Sequence, residues 1–480
     1  MILTYLILII YALLLLIVFL YSLVQFDLYL KYRMQSQKRK IKQFKSWPKV
    51  TIQLPVFNEN YVVERLINQV VQLDYPKEKI EFQVLDDSTD ESMIKTIKLV
   101  ENYQNLGINI KHIWRKNRVG FKAGALKEGL KKAEGEFIAV FDADFMPSSD
   151  WLKKTIPHFS NEKIGVVQTR WGHLNREDSL LTKIQAFALD FHFTLEQVGR
   201  NLSKHFINFN GTAGVWRKTC IIDAGNWQGD TLTEDLDLSY RAQLKSWEFV
   251  YLEGVVAEAE LPAIMSATRS QQFRWNKGAA ENFSKNFKKV LQSSEVSLRT
   301  KIHSFFHLLN SSMFLVVLLL AIISVPLLFI KATHPELKWF FYAMSILGIS
   351  TILFLIVYWK SFKSINEQSK VNFFEFIFLF ISFFSAAMGL SLHNSIAVLE
   401  GHFGKKSAFI RTPKLNNVLE NNTYIKKQIS VVNILEVCLA IYFAFGIYSA
   451  FRLNEYGLLF FHVMLFLGFS FVSYKSIFSK

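Results

Sequence analysis

Asp142 and Asp144 stand one residue apart where a short apolar run, Phe137 to Val140, gives out. The run reads as a buried strand. Residues i and i+2 of an extended chain point the same way, and ligands of open α/β sheets bind beyond the carboxyl ends of the strands. Carboxylates so placed can share one divalent cation, Mg2+ or Mn2+, and such a cation can hold a nucleotide diphosphate. A lone Asp-x-Asp is more often a solvated turn, so its partners decide the reading. Further along come Thr233-Glu234-Asp235 and Gln271-Gln272-Phe273-Arg274-Trp275. Transfer from a nucleotide sugar needs a carboxylate to take the proton of the attacking hydroxyl and a metal for the departing diphosphate. Asp235, with Glu234 beside it, would supply the first. Arg274 offers a planar fork for diphosphate oxygens, and Trp275 an apolar face for a sugar ring. Singly, Asp235 is as readily a helix cap and Trp275 a core aromatic; as an ordered set they are much harder to assign to accident.

The elements that would position these groups alternate. Short apolar runs at Val50 to Leu54, Glu81 to Leu85, Ile108 to Ile113, Phe137 to Phe141 and Ile164 to Gln168 are interleaved with helical patterns at Glu59 to Leu73, Ser92 to Tyr103 and Lys122 to Ala133. Such alternation predicts a mostly parallel sheet with crossover helices, in a unit that runs to about Val290. The first strand leads into Asn58 and Glu59 and the second into Asp86 and Asp87, polar residues at neighbouring strand ends that make a cradle for a base and ribose. The competing reading of Asp87 to Asp90 is a capping cluster for the helix at Ser92. Arg118-Val119-Gly120-Phe121-Lys122-Ala123-Gly124 opens the third helix with glycines and cations. It matches neither a dinucleotide fingerprint nor a P-loop. A helix N-terminus carrying Lys122 would still suit a phosphate, and an exposed capping turn is the equal alternative.

The chain has 480 residues, 51% of them hydrophobic, with 55 Lys and Arg against 40 Asp and Glu for a formal charge of +15. Such an excess can signal nucleic acid, but its placement speaks against that partner. Lys31, Arg33, Lys38, Arg39, Lys40, Lys42 and Lys45 follow directly on an apolar segment, Met1 to about Phe26, with no acidic residue among them. This is the pattern of a cytosolic flank and of contact to anionic membrane lipid. The apolar segment is longer than a signal-peptide core and lacks a cleavage site, so it reads as a first transmembrane helix. Further runs of spanning length occupy Phe305 to Ile330, Trp339 to Trp359, Phe373 to Leu399, Val431 to Phe451 and Leu458 to Tyr474. The basic loop from Gly401 to Lys427 belongs on the same side as the catalytic unit, which a full crossing by Phe373 to Leu399 would forbid. That run also holds Glu375, Ser391, His393 and Asn394, expensive in lipid, so it is expected to be re-entrant or interfacial. The two cysteines, Cys220 and Cys438, have no metal-ligand spacing and imply no disulfide framework.

In order along the chain, Asp86 with Asp87, Asp142 with Asp144, Thr233 to Asp235, and Gln271 with Arg274 and Trp275 resemble the four marks of the processive family 2 glycosyltransferases, the cellulose synthase superfamily. Val84 to Asp90, Arg170 to Asn175, Asp190 to Phe193 and Phe209 to Gly214 look most like its cellulose-synthase-like A and C proteins. The resemblance implies a Rossmann-like α/β GT-A domain on the cytosolic face of the plasma or inner membrane, inserted in an α-helical transmembrane domain. It implies a divalent metal and an inverting transfer from GDP-mannose and/or UDP-glucose that extends a β-1,4 polysaccharide, mannan, glucomannan or glucan, through the same polypeptide. The expected divisions are a first transmembrane helix over 1–30, a basic linker over 31–49, the catalytic domain with interface helices (Leu180 to Gln197, Ala279 to Val290) over 50–290, and a channel region over 291–480. Within the last lie the re-entrant helix 373–399 and a gating-type loop, 401–427. The resemblance gives Asn58, Glu59, Asp86, Asp87, Lys122, Asp142, Gln271 and Arg274 to the nucleotide sugar, and Asp142 and Asp144 to the metal. It gives Asp235 with Glu234 to catalysis; Phe209, Asn210, Gly211 and Trp275 to the acceptor; and Phe409, Arg411, Thr412 and Lys414 to the gating loop. The rival expectation is an enzyme that adds one sugar to a ceramide or polyprenyl lipid.

Overall fold

The computed structural model describes residues 1–34, 44–366, 371–407 and 430–478. The gating-loop residues Phe409, Arg411, Thr412 and Lys414 lie outside the described residues. Strands β1 (Val50–Val56), β2 (Ile80–Asp86), β3 (Ile110–Trp114), β4 (Phe137–Val140), β5 (Met146–Pro147), β6 (Ile164–His173), β7 (Gly214–Arg217) and β8 (Glu248–Ala259) form one eight-stranded sheet in the order β3-β2-β1-β4-β7-β6-β8-β5. β1 and β2 carry near-continuous burial because helices cover both faces of the sheet. Alternation sorts their side chains: Val50, Ile52 and Leu54 join Phe137, Ala139 and Phe141 in the core on one face, while Ile138 and Val140 pack with Leu126, Leu130 and Trp216 on the other.

The expected strands β1, β2, β3, β4 and β6 are present, joined through helices Val63–Val70, Ser92–Asn105 and Phe121–Lys132. The sheet is mixed, with parallel pairings in the majority as expected. β1 pairs in parallel with β2 and β4, β2 with β3, and β6 with β8, but β7 lies antiparallel between β4 and β6, and β5 is antiparallel to β8. β7 has four residues, all buried, so neither alternation nor length announced it. The order 3-2-1-4 places the reversal of winding between β1 and β4. A crevice opens at such a reversal, beyond the ends that carry Glu59 and Asp142.

Among the described residues, five helices are long and apolar enough to cross a membrane: Ile2–Arg33, Leu298–Thr333, Pro335–Ile365, Val431–Arg452 and Tyr456–Phe478. Phe373–Gly389 and Ser391–His402 form a pair bent by 53°. Apolar side chains on these helices face outward, Ile2 at 89% and Ile441 at 65% exposure among them, the surface that lipid would cover. Two further helices join the sheet to this layer. Leu180–Phe191 continues through a π-helical turn, His192–Glu196, into Gln197–Leu202, and Met265–Gln292 carries both the Gln271 to Trp275 motif and the expected interface segment from Ala279.

Candidate active site

One cleft at the β1/β4 reversal is lined by Glu59, Asp87, Lys122, Asp142, Asp144, Asn210, Gly211, Glu234, Asp235, Gln271, Arg274 and Trp275. Residues separated by more than two hundred positions thus meet at one place, and each arrives on a definite element. Asp142 follows β4, with its backbone N–H donating to Thr212 Oγ1 at 2.9 Å. Lys122 opens the helix Phe121–Lys132 and spans the cleft floor, donating to Asp142 Oδ1 at 2.5 Å and to the Gly211 carbonyl at 2.9 Å. Burial alone would lower the Lys122 ammonium, but Asp142, Glu234 and Asp235 outweigh it and hold it above the usual lysine range. It stays charged.

Glu234 and Asp235 begin the helix Glu234–Leu244. The Leu236 N–H donates to Asp235 Oδ1 at 2.8 Å. Burial first, and then the charge of Glu234, raise the Asp235 carboxyl to about 7 against the pull of Lys122. Burial raises Glu234 as well. A carboxyl near neutrality is suited to receive a proton as a bond forms.

The long helix Met265–Gln292 is fastened to this point. Gly278 lies so close to the Thr233 loop that a Cβ there would meet Thr233 Oγ1 at 2.6 Å and Thr233 N at 2.8 Å. One turn on, the fully buried Asn282 donates to Thr233 Oγ1 at 2.9 Å and Thr233 O at 3.1 Å, and Asn286 donates to Asp237 Oδ1 at 3.0 Å. The i, i+4 ladder 278, 282, 286 registers Arg274, one turn before Gly278, against the Glu234–Asp235 pair. Burial lowers Arg274 from the usual guanidinium range while Asp142, Glu234, Asp235 and Asp144 all pull the other way.

Three expected residues are not in the cleft. Asp86 is fully buried behind it, accepting from the Ser88 N–H at 2.8 Å and facing His112 Nε2 at 2.9 Å. Successive residues of a strand point to opposite sides, so of the pair only Asp87 reaches the cleft, where Arg115 Nε donates to it at 2.8 Å and Arg115 Nη2 to its other oxygen. Asn58 accepts from the Thr89 N–H at 2.9 Å and ties the two strand ends together. Phe209 is core, its ring 5.4 Å from Trp216. Conversely, Arg118, Trp171, His173 and Glu260 line the cleft without having been assigned to it. Arg118 stacks 3.3 Å over the Phe57 ring and stands 3.9 Å from Asp87. Trp171 and His173 sit two apart at the end of β6, the spacing that marks Asp142 and Asp144 and the signal that would have found them.

The lining fits a cation: Asp142 and Asp144 leave the end of β4 one residue apart and offer the hard oxygens that Mg2+ or Mn2+ prefers.

Residues 48–278 match the family model described as glycosyltransferase like family 2. The chain is 42% identical to glucomannan 4-β-mannosyltransferase 1 of Cyamopsis tetragonoloba over 57% of this chain and 53% of that protein. It thus spans about half the length of that relative. It is 38% identical to glucomannan 4-β-mannosyltransferase 1 of Oryza sativa subsp. japonica over 78% of this chain and 71% of that one. With glucomannan 4-β-mannosyltransferase 9 of Arabidopsis thaliana it shares 35% identity over 85% of this chain and 76% of that protein. Among solved structures it is similar in fold to the mannosyltransferase PcManGT of Pyrobaculum calidifontis, at a TM-score of 0.54 and 17% identity over 74% of this chain and 99% of that one.

Proposed function

This chain belongs to glycosyltransferase family 2, with the plant glucomannan 4-β-mannosyltransferases as relatives, and from that premise we propose that it builds a β-1,4-linked mannan, glucomannan or glucan from GDP-mannose and/or UDP-glucose. The observation that carries the reading is the meeting of Asp142, Asp144, Lys122, Asp235, Arg274 and Trp275 in one cleft. Asp87 and Arg118 receive the nucleoside end. Lys122 and Arg274 take the diphosphate oxygens, and Asp142 and Asp144 would hold the metal, whose chemistry is to neutralise the departing diphosphate. The acceptor hydroxyl attacks the anomeric carbon from the face opposite the leaving group. As that C–O bond forms, the bond to the diphosphate breaks and the hydroxyl proton passes to Asp235, so the configuration inverts. Trp275 gives the acceptor ring an apolar wall, and Gln271 closes the cleft on the membrane side. The catalytic domain stands on the cytosolic face, and the growing chain leaves through the helices that Met265–Gln292 abuts.

The test is to supply purified protein with each labelled donor and to digest the product with linkage-specific glycanases. Release of label by a β-1,4-mannanase or glucanase is expected, together with loss of turnover in excess chelator and in Asp144→Asn. A product bearing a single sugar on a ceramide or polyprenyl lipid would replace the polymer reading, and full activity in chelator would remove the metal.

A further inference from the structure

We infer that Asp27, His205 and His303 form a metal site apart from the cleft, one that takes a divalent ion of the zinc class and ties the N-terminal helix to the catalytic domain. Asp27 lies toward the end of helix Ile2–Arg33, His303 on Leu298–Leu309, and His205 on the segment between Gln197–Leu202 and β7. Each offers one ligand atom, and these atoms all lie within 4.8 Å of one another. Asp27 Oδ2 and His303 Nε2 already stand 3.0 Å apart. Two ligands that hold one zinc ion at about 2.0–2.2 Å sit roughly 3–3.5 Å from each other, so the spacing suits an ion as well as a hydrogen bond. The His205 and His303 rings stack with centroids 4.0 Å apart. His205 Nδ1 meets Thr300 Oγ1 at 2.9 Å. With that proton given to the hydroxyl, His205 Nε2 keeps a lone pair, and it has no hydrogen-bond partner among the described residues although the residue is only 6% exposed. His303 Nδ1, on a residue 5% exposed, has none either. Buried polar atoms left bare are costly. An ion on His205 Nε2 supplies the missing partner, with Thr300 as the outer group that orients a ligating histidine.

Arg299 is the cation now at Asp27, with Nη2 donating to Oδ1 at 2.6 Å and to Oδ2 at 2.8 Å. Its side chain is half exposed, and a pair so placed is weak. It can turn into water as an ion with twice the charge arrives. The Asp27 side chain is 31% exposed, which gives the ion an entry and leaves room for water at the fourth position. Two imidazoles and one carboxylate suit Zn2+ better than Mg2+, which prefers oxygen alone. The cleft, with Asp142 and Asp144, has the opposite preference. The surroundings of the site are stiff. Gly199 packs against Leu28, the neighbour of Asp27, so closely that a Cβ there would meet Leu28 Cβ at 2.8 Å. His205 also opens the segment that runs on to Asn210 and Gly211 in the cleft. An ion that fixes His205 therefore steadies the loop facing Asp235 from the side of the N-terminal helix.

The test uses the full chain in detergent, carrying Asp142→Asn and Asp144→Asn to silence the cleft, stripped by chelator and titrated with Zn2+ and with Co2+. One equivalent of Zn2+ should bind and raise the thermal midpoint, and Co2+ should give the visible absorption of a nitrogen-ligated ion. Asp27→Asn and His205→Phe should abolish the midpoint rise. Thr300→Val keeps all three ligands and removes only the hydroxyl that orients His205, so it should weaken zinc about 10–100-fold. Arg299→Gln takes away the competing cation and should bind zinc more tightly. Both of these variants keep the stacked rings, so they decide the matter even where His205→Phe fails to fold. No zinc taken up by the cleft-silenced protein would overturn the inference, as would unchanged affinity in Asp27→Asn or Thr300→Val, or weaker binding in Arg299→Gln. Polymer synthesis is read nowhere in this experiment, so its outcome is independent of the proposed function.

Discussion

Gly211 faces Asp235 so closely that a Cβ on Gly211 would lie 2.9 Å from Asp235 Oδ2 and 3.5 Å from Lys122 Nζ. The residue also holds φ at +82°, a conformation that an L side chain adopts at a cost of about 1–2 kcal/mol. Its carbonyl meanwhile receives Lys122. One glycine thus lies against Asp235 and Lys122 together. Gly211→Ala should lower kcat at least tenfold by displacing the Asp235 carboxylate, and nucleotide affinity should fall less, because on the proposed reading Asp87 and Arg118 hold the nucleoside end and only the Lys122 contact is disturbed. Titration of the free nucleotide by calorimetry beside a turnover assay checks both halves; unchanged kcat would mean that the loop yields instead of the carboxylate.

Asn282 touches neither substrate nor reacting atoms, yet it holds the Thr233 loop by both its carbonyl and its hydroxyl. A fully buried amide bonded in this way is worth on the order of 1–3 kcal/mol when its partners are left unpaired. Asn282→Leu should lower the thermal midpoint and reduce kcat more than it weakens nucleotide binding, because Asp235 begins the helix that the loop introduces. A variant that lost stability but kept full turnover at low temperature would show that the ladder to Met265–Gln292 supports the fold without setting the site.

Much of this was legible in the sequence because the chemistry sits where strands end. Asp142 and Asp144 are marked by their spacing and by the apolar run before them, and the Thr233 to Asp235 and Gln271 to Trp275 stretches by their order. What escaped has physical causes. Asp86 and Asp87 looked equivalent, but strand alternation lets only one face the cleft, and the other is consumed by His112 and Ser88. Phe209 reads as part of the acceptor segment, whereas its ring belongs to an aromatic core with Trp216 and Trp227. Arg118 gains its role only through Phe57, sixty-one positions away in the chain. The π turn at His192–Glu196 leaves no periodic trace, since a single widened turn within a helix shifts the pattern by one residue.

The raised carboxyl of Asp235 ties activity and stability to pH in opposite senses. Its ordinary value is 3.8 and its folded value about 7, with burial the main cause and the neighbouring Glu234 the second. The folded protein therefore binds more protons than the unfolded chain between these values, and stability falls as pH rises through that window. Above about 7 the carboxylate is charged, buried and destabilising, and only there is it a competent base. In protein free of metal and nucleotide, Asp235→Asn removes that charge. Its thermal midpoint should exceed that of the wild type at pH 8, and the gap should close toward pH 4. Its turnover should fall by on the order of 10² to 10⁴, while donor nucleotide still binds within a few-fold of wild type. Wild-type kcat should fall as pH drops and Asp235 takes up its proton. A wild type as stable as Asp235→Asn at pH 8 would mean that Lys122 and Arg274 already neutralise the site. Full turnover retained by Asp235→Asn would remove Asp235 as the group that takes the proton.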